Sequence, residues 1–260
     1  MPFATAIDFI PLWLLLGTIV IVVLSVEAGY QLGGYRRRRS EQEKEVPVGS
    51  IVAATIGLLA FMLAFTFGLA ATRFEARRQV VVDEANAIGT TFLRAGLLPD
   101  HRGPKVRKLL REYVDVRLEA IKPGKLEAAL QRSGELQRLL WAEAEAVGVK
   151  HSGSITVGLF LQSLNSTIDL HVTRVQVAIR NRIPGVVWAV LYLITILTMA
   201  GVGYHSGLTR TTRSLAIVVL AVTFSAIMLL IADLDRPQEG LLRVGQQALI
   251  DLRNTMNEQD

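Results

Sequence analysis

The chain has 260 residues, of which 51% are hydrophobic and 20% are charged, and its formal net charge is +5. It is too apolar for an ordinary soluble protein and too charged to lie wholly inside lipid, so apolar and charged segments must alternate. The sequence contains no cysteine, which excludes disulfides, thiolate metal sites and cysteine nucleophiles. Lys and Arg cluster beside apolar blocks, which indicates membrane topology rather than nucleic-acid binding.

The first apolar block, Ile10 to Val26, predicts a retained transmembrane helix at residues 8–28. A cleaved signal peptide is the alternative, but residues 1–9 carry no Lys or Arg and no good cleavage site follows. Gly29 and Gly33 form a GxxxG pattern that could admit a close helix, but we expect them instead to end the first helix. Residues 29–47 then form a short loop whose basic run marks the cytoplasmic side: Arg36, Arg37, Arg38, Arg39 and Lys44.

The stretch from Val48 to about Arg94 is the element around which the chain is organised. It contains no proline, and it predicts one helix of about 70 Å at about 1.5 Å per residue. The hydrocarbon core of a bilayer is about 30 Å thick. Residues 48–72 are therefore predicted to form the second span, and the remainder to project from the membrane as a stalk.

The second span carries a pattern suited to a pore. Phe61 and Phe65 lie on one helix face, and a row of small residues is suited to tight helix packing: Ala53, Gly57, Ala60, Ala64 and Gly68. If several copies surrounded an axis, both phenylalanines would form apolar rings, which can gate by dewetting. The alternative is that they face lipid or a neighbouring helix.

Polar residues in and beyond this span are candidates for the mouth and selectivity of such a pore. Thr66 puts a hydroxyl within the span, and Arg73 and Arg77 lie where the helix leaves lipid, where they would favour anions. Asp83 and Glu84 on the stalk would instead favour cations. For these carboxylates the more common outcome is pairing with arginines of another helix, and we expect that pairing here.

Residues 73–183 are predicted to form a helical extramembrane domain. Residues 104–121 and 125–147 have the apolar spacing of amphipathic helices, and Ser154 is placed to cap a longer one. That longer helix has an apolar stripe: Val157, Leu161, Leu164, Ile168, Val172, Val175 and Ile179. We infer two long helices that pack antiparallel and are braced by residues 104–150. Asp169 and His171 lack a second pair of ligands, so we predict no metal site there.

The chain returns to the membrane twice more. The third span is predicted at residues 184–203 and the fourth at residues 214–232, and the short loop between them, 204–213, carries Arg210 and Arg213. Residues 233–260 then read as a C-terminal amphipathic helix.

Three acidic residues at the exit of the fourth span are a candidate cation site, provided that further oxygen ligands are present: Asp233, Asp235 and Glu239. The alternative, which is the more common role, is that they pair with basic groups or fix the turn before Pro237.

The two short loops between spans carry seven basic residues, and the N-terminal tail carries none. This difference places the loops in the cytoplasm and residues 72–183 on the outer side of the cell (inner) membrane. Arginines also flank the opposite membrane face, and long segments follow the charge rule less closely than short ones.

The segment LAFTFGLAATRFEARRQVVVDEANAIGTTFLRAGLLP resembles the bacterial bestrophin-like membrane family, and IADLDRPQEGLLRVGQQALIDL resembles its other recurrent stretch. The resemblance implies an all-α subunit with four spans that assembles, as a pentamer by analogy, around an ion pore lined by the second span. By that analogy Phe61 and Phe65 would match the apolar neck of the pore, and Asp233 and Asp235 would fall near the acidic cation-binding stretch of true bestrophins. This chain has no dense acidic run, and the charge rule places its large domain on the opposite side from that of bestrophins.

The leading hypothesis is therefore an all-α integral membrane protein with a helical stalk domain that forms a homo-oligomeric ion channel. Its expected partners are further copies of itself, membrane lipids and inorganic ions, with no nucleic acid and no cofactor. The alternative is a non-conducting scaffold or sensor that acts through the extramembrane domain. An enzyme is not expected, because the chain has no GxSxG, HExxH, Walker or Rossmann pattern.

Overall fold

The structure is a computed structural model that describes residues 9–39, 47–180, 182–209, 215–236 and 242–259. Its helices are α1 (Phe9–Arg39), α2 (Val48–Ala95), α3 (Gly103–Glu119), α4 (Leu126–Lys150), α5 (Ile155–Val175), α6 (Gly185–Thr209), α7 (Leu215–Asp235) and α8 (Gln247–Glu258). A π-helical turn, Gln176–Arg180, follows α5. The described residues contain no strand, and the prediction of an all-α fold is confirmed.

The chain divides into two compact units, which we call the membrane unit and the extramembrane unit. The membrane unit comprises Met1–Phe74 and Arg182–Arg243, and the extramembrane unit comprises Glu75–Asn181 and Val244–Asp260. Among the described residues, four helices are long and apolar enough to cross a bilayer, through the segments Trp13–Arg39, Val48–Ala95, Gly185–Thr209 and Ile217–Asp235. These are the four predicted spans.

In the membrane unit, α1 continues to Arg39 without a break, so the expectation that Gly29 and Gly33 end this helix is wrong. The two glycines lie instead where α1 crosses α6. A Cβ at Gly29 would overlap the carbonyl oxygen of Ala200, and one at Gly33 would overlap that of Tyr204.

The crossing is reciprocal, because α6 contributes a glycine pair of its own. A Cβ at Gly203 would overlap the carbonyl oxygen of Val26, and one at Gly207 would overlap that of Tyr30. Two helices can come this close only where both lack side chains, which is the packing that GxxxG patterns allow in membranes.

The membrane unit has an apolar core that is closed by all four spans. It includes Val22 of α1, Leu59 and Leu63 of α2, Met199 of α6 and Met228 of α7. Near the first residues of α1 and α6, the Thr18 hydroxyl and the Tyr192 hydroxyl lie 2.9 Å apart. The same ends of α1 and α6 therefore lie together, and these two spans run parallel.

In the extramembrane unit, the C-terminal half of α2 packs antiparallel to α5, as predicted. The hydroxyls of Thr91 and Thr167 lie 3.0 Å apart, and the Arg94 guanidinium donates to the Leu159 carbonyl at 2.6 Å. Ser154 caps α5 by accepting a hydrogen bond from the Val157 amide at 3.5 Å.

Helices α3, α4 and α8 complete the core of this unit, with Leu110, Tyr113, Leu136, Leu140 and Leu249 among its buried residues. The C-terminal helix begins at Gln247 rather than at residue 233. It packs on the extramembrane unit through Leu249 and Met256, which are both buried.

Candidate functional site

One face of α2 in the membrane unit is exposed along its length. Phe61 is 65% exposed and Phe65 is 64% exposed, and a Cβ at Gly57 or Gly68 would have no neighbour within 4 Å. The whole stripe, which we call the α2 stripe, is Ala54, Gly57, Leu58, Phe61, Ala64, Phe65, Gly68 and Thr72. Five of its eight members are Gly, Ala or Thr, the residues that let membrane helices approach one another closely.

The opposite face of α2 faces the core of the membrane unit. Leu59, Leu63 and Ala70 are buried there, and Thr66 is buried among them with its hydroxyl donating to the Met62 carbonyl at 2.7 Å. Because Thr66 faces inward and its hydroxyl is bonded within its own helix, it lies off the α2 stripe. Arg73 is half-buried, and its Nη1 atom has no hydrogen-bond partner among the described residues.

In the extramembrane unit, Glu84 lies at the centre of a buried charge cluster. Its side chain is fully buried, and one carboxylate oxygen accepts from Arg117 Nε at 2.9 Å. The other oxygen accepts from Arg174 Nη1, and Arg174 Nη2 donates to the side-chain carbonyl of Gln246 at 2.6 Å. The cluster joins α2, α3, α5 and the segment before α8. The expected pairing of this stalk carboxylate with arginines is therefore confirmed.

Two further groups flank the cluster. The Tyr113 and His171 rings lie 6.3 Å apart between centroids, and the Tyr113 hydroxyl accepts a hydrogen bond from Gln137 at 3.2 Å. Burial, together with the positive charge of Arg117, lowers the pKa of His171 to about 4. The imidazole is therefore neutral at pH 7, and no third cation is added beside Arg117 and Arg174.

Arg77 and Asp83, the other stalk residues predicted for the pore mouth, differ in burial and in their hydrogen bonds. Arg77 is buried, and its Nε donates to the Val177 carbonyl in the π-helical turn at 3.3 Å. This hydrogen bond joins α2 to the π-helical turn within the extramembrane unit. Asp83 is half-exposed and accepts from Gln79 at 2.9 Å.

Two of the three residues predicted for the cation site accept hydrogen bonds from backbone amides. Asp233 accepts from the Leu242 amide at 2.8 Å, and Asp235 accepts from the Ile183 amide at 3.0 Å. Both are 6% exposed, while Glu239 lies outside the described residues. The described part of the chain contains no group of three or more His, Asp or Glu side chains that could hold a metal ion. Asp233 and Asp235 therefore fix the chain around the exit of α7.

Sequence reasoning missed Arg117 and Arg174 as partners of Glu84. A signal for Arg117 was present, since it follows Tyr113 and Val114 by four and three residues and so shares their buried face of α3. It also missed Gly203 and Gly207, although these glycines repeat the spacing of Gly29 and Gly33.

The chain is similar to known proteins over nearly its whole length. The sequence profile of the bestrophin-like domain matches residues 17–249, whereas no curated protein sequence matches the chain. A bacterial bestrophin homologue from Klebsiella pneumoniae aligns over 95% of this chain and 96% of its own, with a TM-score of 0.63 and 15% identity.

Two further crystal structures give the same result. A single-substitution variant of the Klebsiella pneumoniae homologue covers 98% of this chain and 97% of its own, with a TM-score of 0.64 and 15% identity. A membrane protein covers 96% of both chains, with a TM-score of 0.66 and 12% identity. At these identities the likeness shows the fold.

Proposed function

Because the chain belongs to the bestrophin-like family and has its channel fold, we propose that several copies surround an axis and conduct ions along the α2 stripe. Membership of a family of channels favours conduction over catalysis. The observation that carries the proposal is the exposure of Phe61 and Phe65 among small residues on one face of a membrane span. A stripe that faced lipid alone would have no need of small residues, because large apolar side chains are equally soluble there.

The phenylalanines supply the constriction in this proposal. Two rings of aromatic side chains one helical turn apart narrow a pore and expel water from it, which blocks ions until the ring opens. Gly57 and Gly68 lie on the same face on either side of the phenylalanines and would allow neighbouring α2 helices to pack closely there.

Arg73 and Asp83 remain in the proposal as mouth residues, because both are at least partly exposed. Thr66, Arg77 and Glu84 are buried inside one subunit and are left out of the proposed wall. An arginine at the mouth favours anions and an aspartate favours cations, so the sign of the selectivity identifies which of the two groups acts.

The first test is current across a planar bilayer that contains the purified protein under a salt gradient. We expect discrete openings, and the shift of the reversal potential gives the sign of the selectivity. The Phe61→Ala, Phe65→Ala double variant should raise conductance or open probability without loss of the fold.

Phe67 provides a matched control, because it lies about 120° around the helix from Phe61 and is 39% exposed. Phe67→Ala removes the same side chain from the same span and should leave the currents unchanged. If all three substitutions changed the currents equally, Phe61 and Phe65 would not form the constriction of a pore. The absence of current from folded, assembled protein would favour the scaffold or sensor function.

The proposal also includes the orientation given by the charge of the short loops. Arg36, Arg37, Arg38 and Arg39 end α1, and their side of a bacterial inner membrane is taken as the cytoplasm. The extramembrane unit then lies on the outer side, opposite to the side that the family resemblance implies.

A further inference from the structure

A cavity of about 340 Å³ opens in the membrane unit at the end of the bundle where α6 begins and α7 ends. Leu14, Ile183 and Ala232 form part of its apolar wall, and two aromatic side chains, Trp188 and Tyr192, complete it. Neither the family match nor the proposed pore accounts for this cavity.

Two arginines, Arg182 and Arg236, line the same cavity. Within the described part of the chain, neither guanidinium makes a side-chain hydrogen bond or an ion pair. By contrast, Arg117 and Arg174 of the extramembrane unit are both paired with Glu84. Two unpaired guanidiniums on one cavity repel each other, and this repulsion is relieved when an anion binds between them.

The carboxylate of Asp235 also borders the cavity, and its charge offsets one of the two arginines, which leaves these three side chains with a net positive charge. It is 6% exposed and accepts a hydrogen bond from the Ile183 amide at 3.0 Å. This bond fixes the backbone directly after Arg182, and Asp235 thereby holds one of the two arginines at the cavity.

The aromatic wall matches the position of the cavity at the ends of membrane spans. Trp and Tyr are enriched at the boundary between lipid and water, where their apolar bodies and polar tips are both satisfied. Tyr192 is oriented by the hydroxyl of Thr18 at 2.9 Å. The cavity therefore combines a basic entrance with an amphipathic wall at the depth of the lipid head groups.

We propose that this cavity binds a phosphate-bearing anion, with Arg182 and Arg236 holding the phosphate and Trp188 and Tyr192 packing against the organic group attached to it. Arginine suits this role because its planar fork of donors matches phosphate oxygens in pairs. The same chemistry is offered by the head group of an anionic phospholipid and by a free phosphate ester, and the test separates these two sources.

Trp188 provides the readout, because it lines the cavity and the chain has only three tryptophans. Trp13→Phe and Trp141→Phe leave Trp188 as the single fluorophore, and both replaced side chains are exposed. In nanodiscs, lipids brominated near the head group should quench Trp188 more strongly when they are phosphatidylglycerol than when they are phosphatidylcholine. In detergent, inorganic phosphate and glycerol phosphate are titrated against the same fluorescence.

The Arg182→Gln, Arg236→Gln double variant on this background should abolish the preferential response, with a loss of about tenfold in affinity for each arginine removed. Arg138→Gln with Arg253→Gln is the matched control, since it removes the same charge from the surface of the extramembrane unit and should preserve the response. If the Gln variant does not fold, as judged by its melting temperature, the Arg182→Lys, Arg236→Lys double variant takes its place. This variant keeps both charges and should retain a weakened response.

Quenching that is selective for phosphatidylglycerol and lost in the double variant identifies a lipid as the ligand. A saturable response to phosphate or glycerol phosphate that is lost in the same variant identifies a free phosphate ester. Equal quenching by both lipids with no response to either phosphate would overturn the proposal, and so would a response that the Arg182→Gln, Arg236→Gln variant retains.

Discussion

Replacing Glu84 with alanine leaves Arg117 and Arg174 buried together without their shared carboxylate. In the native protein Glu84 is 0% exposed and Arg117 is 3% exposed, so water cannot take the place of the lost anion. Breaking a buried ion pair by removing one partner costs about 3–5 kcal/mol, because the remaining charge is desolvated and uncompensated. Two cations share this carboxylate, which places the expected loss at the upper end of that range.

The loss should be measured as the change in the free energy of unfolding of the extramembrane helices, by circular dichroism of detergent-solubilised protein during thermal and urea unfolding. Asp83→Ala is the matched control, since it removes a carboxylate from the adjacent position. Asp83 is half-exposed and is bonded to Gln79 on the same helix, so its loss should cost less than about 1 kcal/mol.

A second variant separates the lost charge balance from the lost packing. Replacing the whole cluster with apolar side chains, as Glu84→Leu, Arg117→Met and Arg174→Met, removes the buried charges together and should recover most of the stability. If Glu84→Ala and Asp83→Ala were equally stable, the cluster would contribute nothing measurable, and the account of Glu84 as the anion that neutralises two arginines would be wrong.

Three further predictions concern other parts of the molecule. Gly29→Leu should separate α1 from α6 and lower the stability of the membrane unit by at least about 2 kcal/mol, whereas Gly34→Leu, whose Cβ meets no neighbour within 4 Å, should have little effect on the melting temperature. Stability should fall as the pH drops from about 6.5 to about 4, because unfolding raises the depressed pKa of His171 and lets it bind a proton; His171→Phe should remove about 2 kcal/mol of that fall in acid titrations of unfolding. Because the chain has no cysteine, Arg138→Cys in intact spheroplasts should react with a membrane-impermeant maleimide if the extramembrane unit lies outside.

Each of these predictions has a result that would contradict it. Equal melting temperatures for Gly29→Leu and Gly34→Leu would mean that the helices tolerate separation at this crossing. An unchanged pH profile for His171→Phe would assign the acid sensitivity to other groups. Labelling of Arg138→Cys that requires permeabilised membranes would place the extramembrane unit in the cytoplasm, as the family resemblance implies.

The spans and the helical fold could be predicted because each depends on local pattern alone. An apolar run long enough to cross a bilayer identifies a span regardless of its neighbours, and Ser154 caps α5 through a contact three residues away. Phe61 and Phe65 could likewise be assigned to one helix face from their spacing. That this face lines a pore stays a prediction.

The features that sequence reasoning missed depend on contacts between distant residues. Gly29 can end a helix or admit a neighbouring helix. Which of the two occurs depends on Ala200 and Gly203, which belong to α6, beyond the second span and the extramembrane helices in the sequence. Val172 was expected in the buried stripe of α5 and is 61% exposed, while Arg174 is 9% exposed. On hydrophobicity alone, an arginine is expected to face solvent. Burial of Arg174 becomes favourable because its guanidinium pairs with the buried carboxylate of Glu84.

The contact between α1 and α6 limits how this protein can move. At Gly29 and at Gly203, the backbone of one helix rests directly on a carbonyl group of the other, so no side chain between them can change rotamer to absorb a displacement. Rotation of either helix about its axis, or sliding by one residue, would bring a Cβ into space that admits only hydrogen. The two spans therefore behave as one rigid body, and in the proposed channel any change in pore width would come from tilting or turning α2 and α7 against that body.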